Sequence, residues 1–295
     1  MAVISLQLVL IRGLIYAFTL IPKPFVRPLA ASLLWLLRPV LGKEKEKLYR
    51  NLEEVLNLPR HSIFAKNFAR QVLQHQIESG IESLVSAEKG PRHDPIEILG
   101  FESLEATISD LKAAGKGLIV ITGHMGSWEF VAKYCALATG ETFNALAKPS
   151  KSPAVTKYLE SSRSKMNTRV LWTDRKTLLK DMMLSLKHGQ ILGFVMDQKP
   201  DGRQGPEVTF FDRPTKFVAG PAKLATRMQA PVLAVFCMRE GPWRYRIVHK
   251  VVASPHHEER DEVTLTQAMA AEIERVIRLY PEQWVWNYKR WRFQT

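Results

Sequence analysis

Residues 117–130, GLIVITGHMGSWEF, decide how this chain is read. Leu118 to Ile121 form a short apolar, β-branched-rich run between Gly117 and Gly123, the pattern of a buried strand. Met125-Gly126-Ser127 then turns the chain, Ser127 stands where a helix N-cap belongs, and Trp128-Glu129-Phe130-Val131 opens a helix. His124 is therefore expected at a strand-to-helix junction, where α/β sheets carry their chemistry.

Glu129, five residues on, is the partner to weigh. Within one helix that spacing separates the two side chains, but a carboxylate in a first helical turn can fold back onto the preceding loop. Bound to one imidazole nitrogen, it would set the tautomer and leave the other nitrogen as a general base. The spacing alone is weak: with eight histidines about one chance occurrence is expected. His256/Asp261 and His257/Glu262 repeat it in a polar stretch with no strand before it, which reads as a solvated loop. Context selects His124. On residues alone, a catalytic pair and a structural histidine both stay open.

Outward from this stretch, strands and helices alternate. Helix is expected at about 102–114, from near Trp128 onward, and at 152–166, 174–187, 217–229 and 262–279, and strand at 142–147, 169–172, 191–196, 208–211, 232–238 and 243–252. This is an α/β fold, a mostly parallel mixed sheet flanked by helices. Asp197-Gln198-Lys199 follows the ILGFVM strand and so falls at the same carboxyl edge as His124. Lys148 and Arg163 could add positive charge there, although either residue alone is more often a solvated surface residue.

Composition is globular, with 46% hydrophobic and 24% charged residues among 295, enough chain to bury about three quarters of its unfolded surface. Cys135 and Cys237 lie in a predicted helix and a predicted strand without metal or redox spacing, as buried free thiols would. The net charge of +13 calls for an anionic partner: nucleic acid, membrane or an acidic protein. Residues 1–50 hold eight Lys/Arg against two Glu and are also the most apolar part, which favours membrane over nucleic acid.

Residues 1–41 read as a membrane-anchoring helical segment and 42–295 as the α/β domain. The run 1–21 just reaches spanning length, but Arg12 in its middle would cost about 2.5–3.5 kcal/mol, so spanning and lying on the surface both stay open. The basic residues that follow, Lys23 to Arg50, would keep the domain on the cytoplasmic side. A pair of helices packed on the domain is the other reading. The tail, PEQWVWNYKRWRFQT, interleaves aromatics and cations, suiting either a membrane interface or a segment whose tryptophans complete the core. No Walker, dinucleotide or Gly-x-Ser-x-Gly motif occurs, and His256-His257-Glu258 lacks zincin spacing, so no metal or cofactor is expected.

These pieces together resemble the bacterial lipid A lauroyl/myristoyl acyltransferases. The resemblance runs through RNL at 50–52, GHMGSWE at 123–129, Lys148-Pro149, Arg163, MDQ at 196–198, VTFF at 208–211, GPAKLATRMQAPVLAVF at 220–236 and PEQWVWNYKRW at 281–291. The sequence departs from the family pattern at Asp212, where glycine is usual, and at Tyr288-Lys289-Arg290, where His-Arg-Arg is usual. The resemblance implies an inner-membrane O-acyltransferase moving a fatty acyl chain from an acyl carrier protein thioester to a lipid hydroxyl. His124 and Glu129 would be its catalytic dyad, and Lys148, Arg163, Asp197 and Gln198 its substrate-binding residues. A glycerophospholipid acyltransferase and a non-catalytic basic membrane- or nucleic-acid-binding protein are the alternatives.

Overall fold

Pro22 and Pro24 break the apolar N-terminus into two helices, since proline cannot continue the helical ladder. In the computed structural model, which describes residues 2–90, 93–113, 115–200, 205–254, 261–288 and 290–291, these are α1 (Ala2–Thr19) and α2 (Val26–Leu36). Their apolar stretches meet at 112°, and no single helix among the described residues is long and apolar enough to cross a membrane. α1 lays Leu8 and Ile15 against Tyr158, while Val26 of α2 packs with Ile81, Val85 and Trp243. The opposite faces, with Leu10, Leu14, Trp35 and Leu36, stay exposed. Downstream of α2 come α3 (Gly42–Leu56) and α4 (Ile63–Lys89), parted by left-handed Asn57. Ser62 caps α4 by accepting from the Ala65 N–H.

The α/β body runs β1 (Glu97–Leu99), α5 (Phe101–Lys112), β2 (Leu118–Thr122), α6 (Trp128–Thr139), β3 (Phe143–Ala147), α7 (Pro153–Lys165), β4 (Thr168–Trp172), α8 (Leu178–Lys187) and β5 (Ile191–Val195). The hairpin β6 (Glu207–Phe210) and β7 (Arg213–Lys216) precedes α9 (Gly220–Met228), and β8 (Val232–Gly241), β9 (Arg244–Ala253) and α10 (Glu262–Leu279) complete the fold. The main sheet has the order β1-β9-β8-β2-β5-β3-β4. Five strands from β8 to β4 are parallel, and β9 with β1 runs the other way at one edge. Central β2 is buried on both faces, as its unbroken apolar run requires, whereas β9 alternates and keeps one side wet. β1 and β7 carry no periodicity of their own and were not anticipated; each exists by pairing with a neighbour.

The connections decide where the chemistry lies. After β2 the chain crosses to α6, which packs with Leu118 and Val120 on one face. After β5 it reaches α9 on the opposite face, beside Ile119 and Ile121. Adjacent strands whose connections leave in opposite directions open a crevice at their carboxyl ends. β2 ends at His124 and β5 at Asp197.

The C-terminal tail is core. Trp284, Trp286 and Trp291 are buried among Phe210 and Phe211, which excludes these rings from a membrane interface. Asn51, centre of the RNL motif, donates to the carbonyls of Trp286 (2.5 Å) and Tyr288 (2.8 Å) and pins the tail to α3. Phe211 and Asp212 form the two-residue turn of the β6–β7 hairpin, at φ 54° and 57°. That geometry explains why glycine suits position 212. The His256-His257-Glu258 cluster lies outside the described residues.

Candidate active site

The parallel register pairs Thr122 with Val195, which brings the residues two further along, His124 and Asp197, level across the crevice. Asp197 Oδ1 lies 2.6 Å from His124 Nδ1, and its Oδ2 accepts the His124 backbone N–H at 2.7 Å. Trp284 Nε1 donates to the same Oδ2 at 2.7 Å. The carboxylate is almost fully buried. Burial pushes its pKa up, but the adjacent imidazole and the donors from His124 and Trp284 outweigh that and hold it below the usual carboxylate value. Asp197 is thus a buried carboxylate held on one side by the His124 backbone and Trp284 and on the other by the imidazole.

The turn after His124 is shaped for this. Gly126, at φ 53°, sits where a Cβ would come within 2.2 Å of the Cys237 carbonyl oxygen, so only glycine lets the loop settle on β8. Ser127 caps α6 as expected, accepting from the Phe130 N–H. The tail runs alongside, with Gly126 N–H donating to the Gln283 carbonyl and Val285 N–H to the His124 carbonyl, both at 3.0 Å. Trp128 and Tyr288 meet the imidazole edge-on at 5.1 and 5.0 Å. Burial, and then the charge of Asp197, raise the pKa of the Tyr288 phenol, which hydrogen-bonds with Gln198.

Glu129 departs from the expectation that it orients the imidazole. Its two oxygens take Arg163 in a fork, Nη2 at 2.6 Å and Nε at 3.0 Å. Burial depresses the guanidinium, yet the charge and hydrogen bonds of Glu129 leave its pKa raised overall. The reason is geometric: Glu129, in the first turn of α6, reaches Arg163 of α7, whereas Asp197 is delivered to Nδ1 by strand pairing. Even so, His124, Glu129, Lys148, Arg163 and Gln198 line one cavity of about 590 Å³, with Asp197 buried behind the ring. The candidate residues are brought together, and the carboxylate hydrogen-bonded to the imidazole is Asp197, while Glu129 is paired with Arg163.

Sequence reasoning missed Trp128, Tyr288 and Trp284. The last two lie in the PEQWVWNYKRW stretch, and nothing local to that stretch says which loop it will cover. Among the described residues no cluster of three or more His, Cys, Asp or Glu side chains is arranged to hold a metal. Cys135 and Cys237 are free and buried, their thiols pushed well above the usual range by burial.

The fold and site define a class: an α/β protein whose sheet crevice holds a carboxylate-oriented histidine over a largely apolar cavity. Within that class, the chain belongs to the bacterial lipid A biosynthesis acyltransferase family, which it matches over residues 3–293. It is similar to the phosphatidylinositol mannoside acyltransferase of Mycobacterium tuberculosis, with 25% identity over 195 residues that cover 65% of this chain and 58% of that protein. The enzyme of the same name from Mycolicibacterium smegmatis is 24% identical over 250 residues, 83% of this chain and 79% of the relative. The lipid A biosynthesis lauroyltransferase of Escherichia coli is 23% identical over 287 residues, 95% of this chain and 89% of the relative.

Proposed function

We propose that this protein is a lipid O-acyltransferase that moves a fatty acyl chain from an acyl carrier protein thioester to a hydroxyl of a lipid A precursor. The observation that carries this reading is the His124–Asp197 pair at the mouth of an apolar cavity. His124 Nε2 takes the proton of the acceptor hydroxyl as its oxygen attacks the thioester carbonyl. The imidazolium that forms is stabilised by Asp197. Collapse of the tetrahedral intermediate forms the ester, breaks the C–S bond and returns the proton to the departing thiolate. Neither a metal nor a covalent acyl-enzyme enters these steps. Glu129 holds the Arg163 guanidinium at the cavity wall, where with Lys148 and Gln198 it receives the polar part of the acceptor.

Two surfaces support the partners. Residues 148–187 contain ten Lys/Arg against three Asp/Glu, more than half of the whole surplus, and Lys148 and Arg163 of this stretch line the cavity. An acidic carrier is the complement of such a surface. The exposed apolar faces of α1 and α2, with Arg12 and Arg27 exposed on the same two helices, suit a helix pair lying in an anionic membrane surface. This is the role proposed for residues 1–41, with the domain on the cytoplasmic side of the inner membrane.

The names of the relatives support two acceptors, a lipid A precursor and a phosphatidylinositol mannoside. Purified protein is incubated with acyl carrier protein thioesters and both acceptors, plus a lysophospholipid, and products are identified by mass spectrometry. Acylated lipid A precursor, lost in His124→Ala, is expected. Absence of transfer to every acceptor by folded protein would overturn the enzyme reading, and salt-dependent DNA binding in its place would favour the non-catalytic alternative.

A further inference from the structure

The inner end of the cavity pairs the smallest residue of the sheet with one of the largest. Strand register aligns Val120 of β2, Gly193 of β5 and Ala145 of β3 in one row. One row further from His124 stand Leu118, Ile191 and Phe143. Side chains two apart on a strand share a face, so both rows look toward α6, whose Val131 and Ala132 form the opposite wall. Gly193 and Ala145 leave a trough in the first row. The Phe143 ring leaves its own row and lies across that trough: a Cβ on Gly193 would stand 2.1 and 2.2 Å from its Cζ and Cε1. Glycine is what admits the ring, and the ring, buried at 4% exposure, is what closes the trough.

From the level of His124 to the Gly193 row is four residues of strand, about 13 Å at about 3.3 Å per residue. A slot of that reach with aliphatic walls and an aromatic floor fits a saturated acyl chain whose carbonyl end lies at the imidazole.

We propose that Phe143, seated over Gly193, is the stop that sets which acyl-chain length this protein transfers. The proposal rests on the reading of the His124 cavity as an acyl-transfer site. Its physical basis is the methylene increment: each buried methylene is worth about fourfold in binding. A chain that ends at the ring gains every increment. A longer one must leave methylenes outside the slot or displace a ring that is packed over Gly193.

The test measures kcat/KM for the full-length protein over a ladder of saturated acyl carrier protein thioesters at fixed acceptor. Phe143→Ala opens the trough, and the optimum is expected to move to longer chains. The ratio of a donor two carbons longer to the wild-type optimum should rise by about tenfold or more. Gly193→Ala puts a methyl group where the ring now lies and displaces it from the trough, so the donor ratios are expected to change in this variant as well. Phe143→Leu, a smaller change, is expected to give a partial shift and serves if Phe143→Ala does not fold, as judged by thermal melting. A purely structural role would lower all donors together and leave their ratios unchanged. Unchanged ratios in folded, active variants overturn the stop and place the chain end elsewhere, such as the cavity of about 240 Å³ behind the Glu129–Arg163 pair. Wild-type protein that transfers no acyl group from any donor overturns instead the reading on which the stop rests.

Discussion

Asp197→Asn separates chemistry from packing more cleanly than any other change in the site. The two side chains have the same shape, so the buried pocket keeps its volume. Two of the three donors, the His124 backbone N–H and Trp284 Nε1–H, converge on Oδ2 and cannot become acceptors. The amide oxygen must therefore take the Oδ2 position, which turns the NH2 group toward His124 Nδ1. Only the imidazole can adapt. It moves its proton to Nε2 and presents a bare Nδ1, and the nitrogen facing the substrate then has no lone pair for the acceptor proton. The expected loss in kcat is about 10²–10⁴, or about 3–5 kcal/mol of barrier, with KM little changed. Loss of charge-assisted hydrogen bonds should cost about 1–3 kcal/mol of stability and leave the protein folded. The assay is initial-rate acyl transfer alongside thermal melting, with His124→Ala as the reference for complete loss of the base. A folded Asp197→Asn protein that keeps more than about a tenth of wild-type kcat would refute the assignment of His124 as a base oriented through this carboxylate.

Three further outcomes are expected. Glu129→Ala frees Arg163 from its fork without touching Nδ1, so acyl transfer should fall by about 10²-fold while the pH dependence of kcat keeps its wild-type shape; a profile altered as in Asp197→Asn would mean that Glu129 acts on the imidazole after all. Arg239 is buried between Glu78 (2.6 Å) and Glu82 (2.9 Å), so Arg239→Met strands two carboxylates and should lower unfolding free energy by about 3–5 kcal/mol in denaturant titration, with part recovered on adding Glu82→Gln. His75 has its pKa lowered chiefly by burial and then by Arg239, so below the ordinary histidine value near 6.5 the unfolded chain takes up a proton that the folded chain refuses. Stability should fall as pH drops from about 7 to 5 and fall less in His75→Leu, whereas the contribution of Asp197 is lost only at more acid pH, below the ordinary carboxylate value of 3.8.

The local signals in the chain were sufficient for most of its local structure, though not for β1 and β7. The buried strand at Leu118–Thr122, the Ser127 cap and the alternation of strands and helices all follow from neighbours within a turn or two, where periodicity and capping act. The same signals located His124, Asp197 and Gln198 at one edge, because a parallel sheet carries its strand ends together. Which carboxylate meets the imidazole was not of that kind. Glu129 is near in sequence but its helix turns it toward Arg163, while Asp197, 73 residues away, arrives through the β2–β5 register. The tail shows the same division. Its mixture of tryptophan and cations has one composition whether it meets lipid or protein, and only packing against Phe210, Phe211 and the His124 loop made it core. Composition and periodicity are properties of a segment; a hydrogen bond between distant segments depends on register and crossover direction, which exist only once the sheet has assembled.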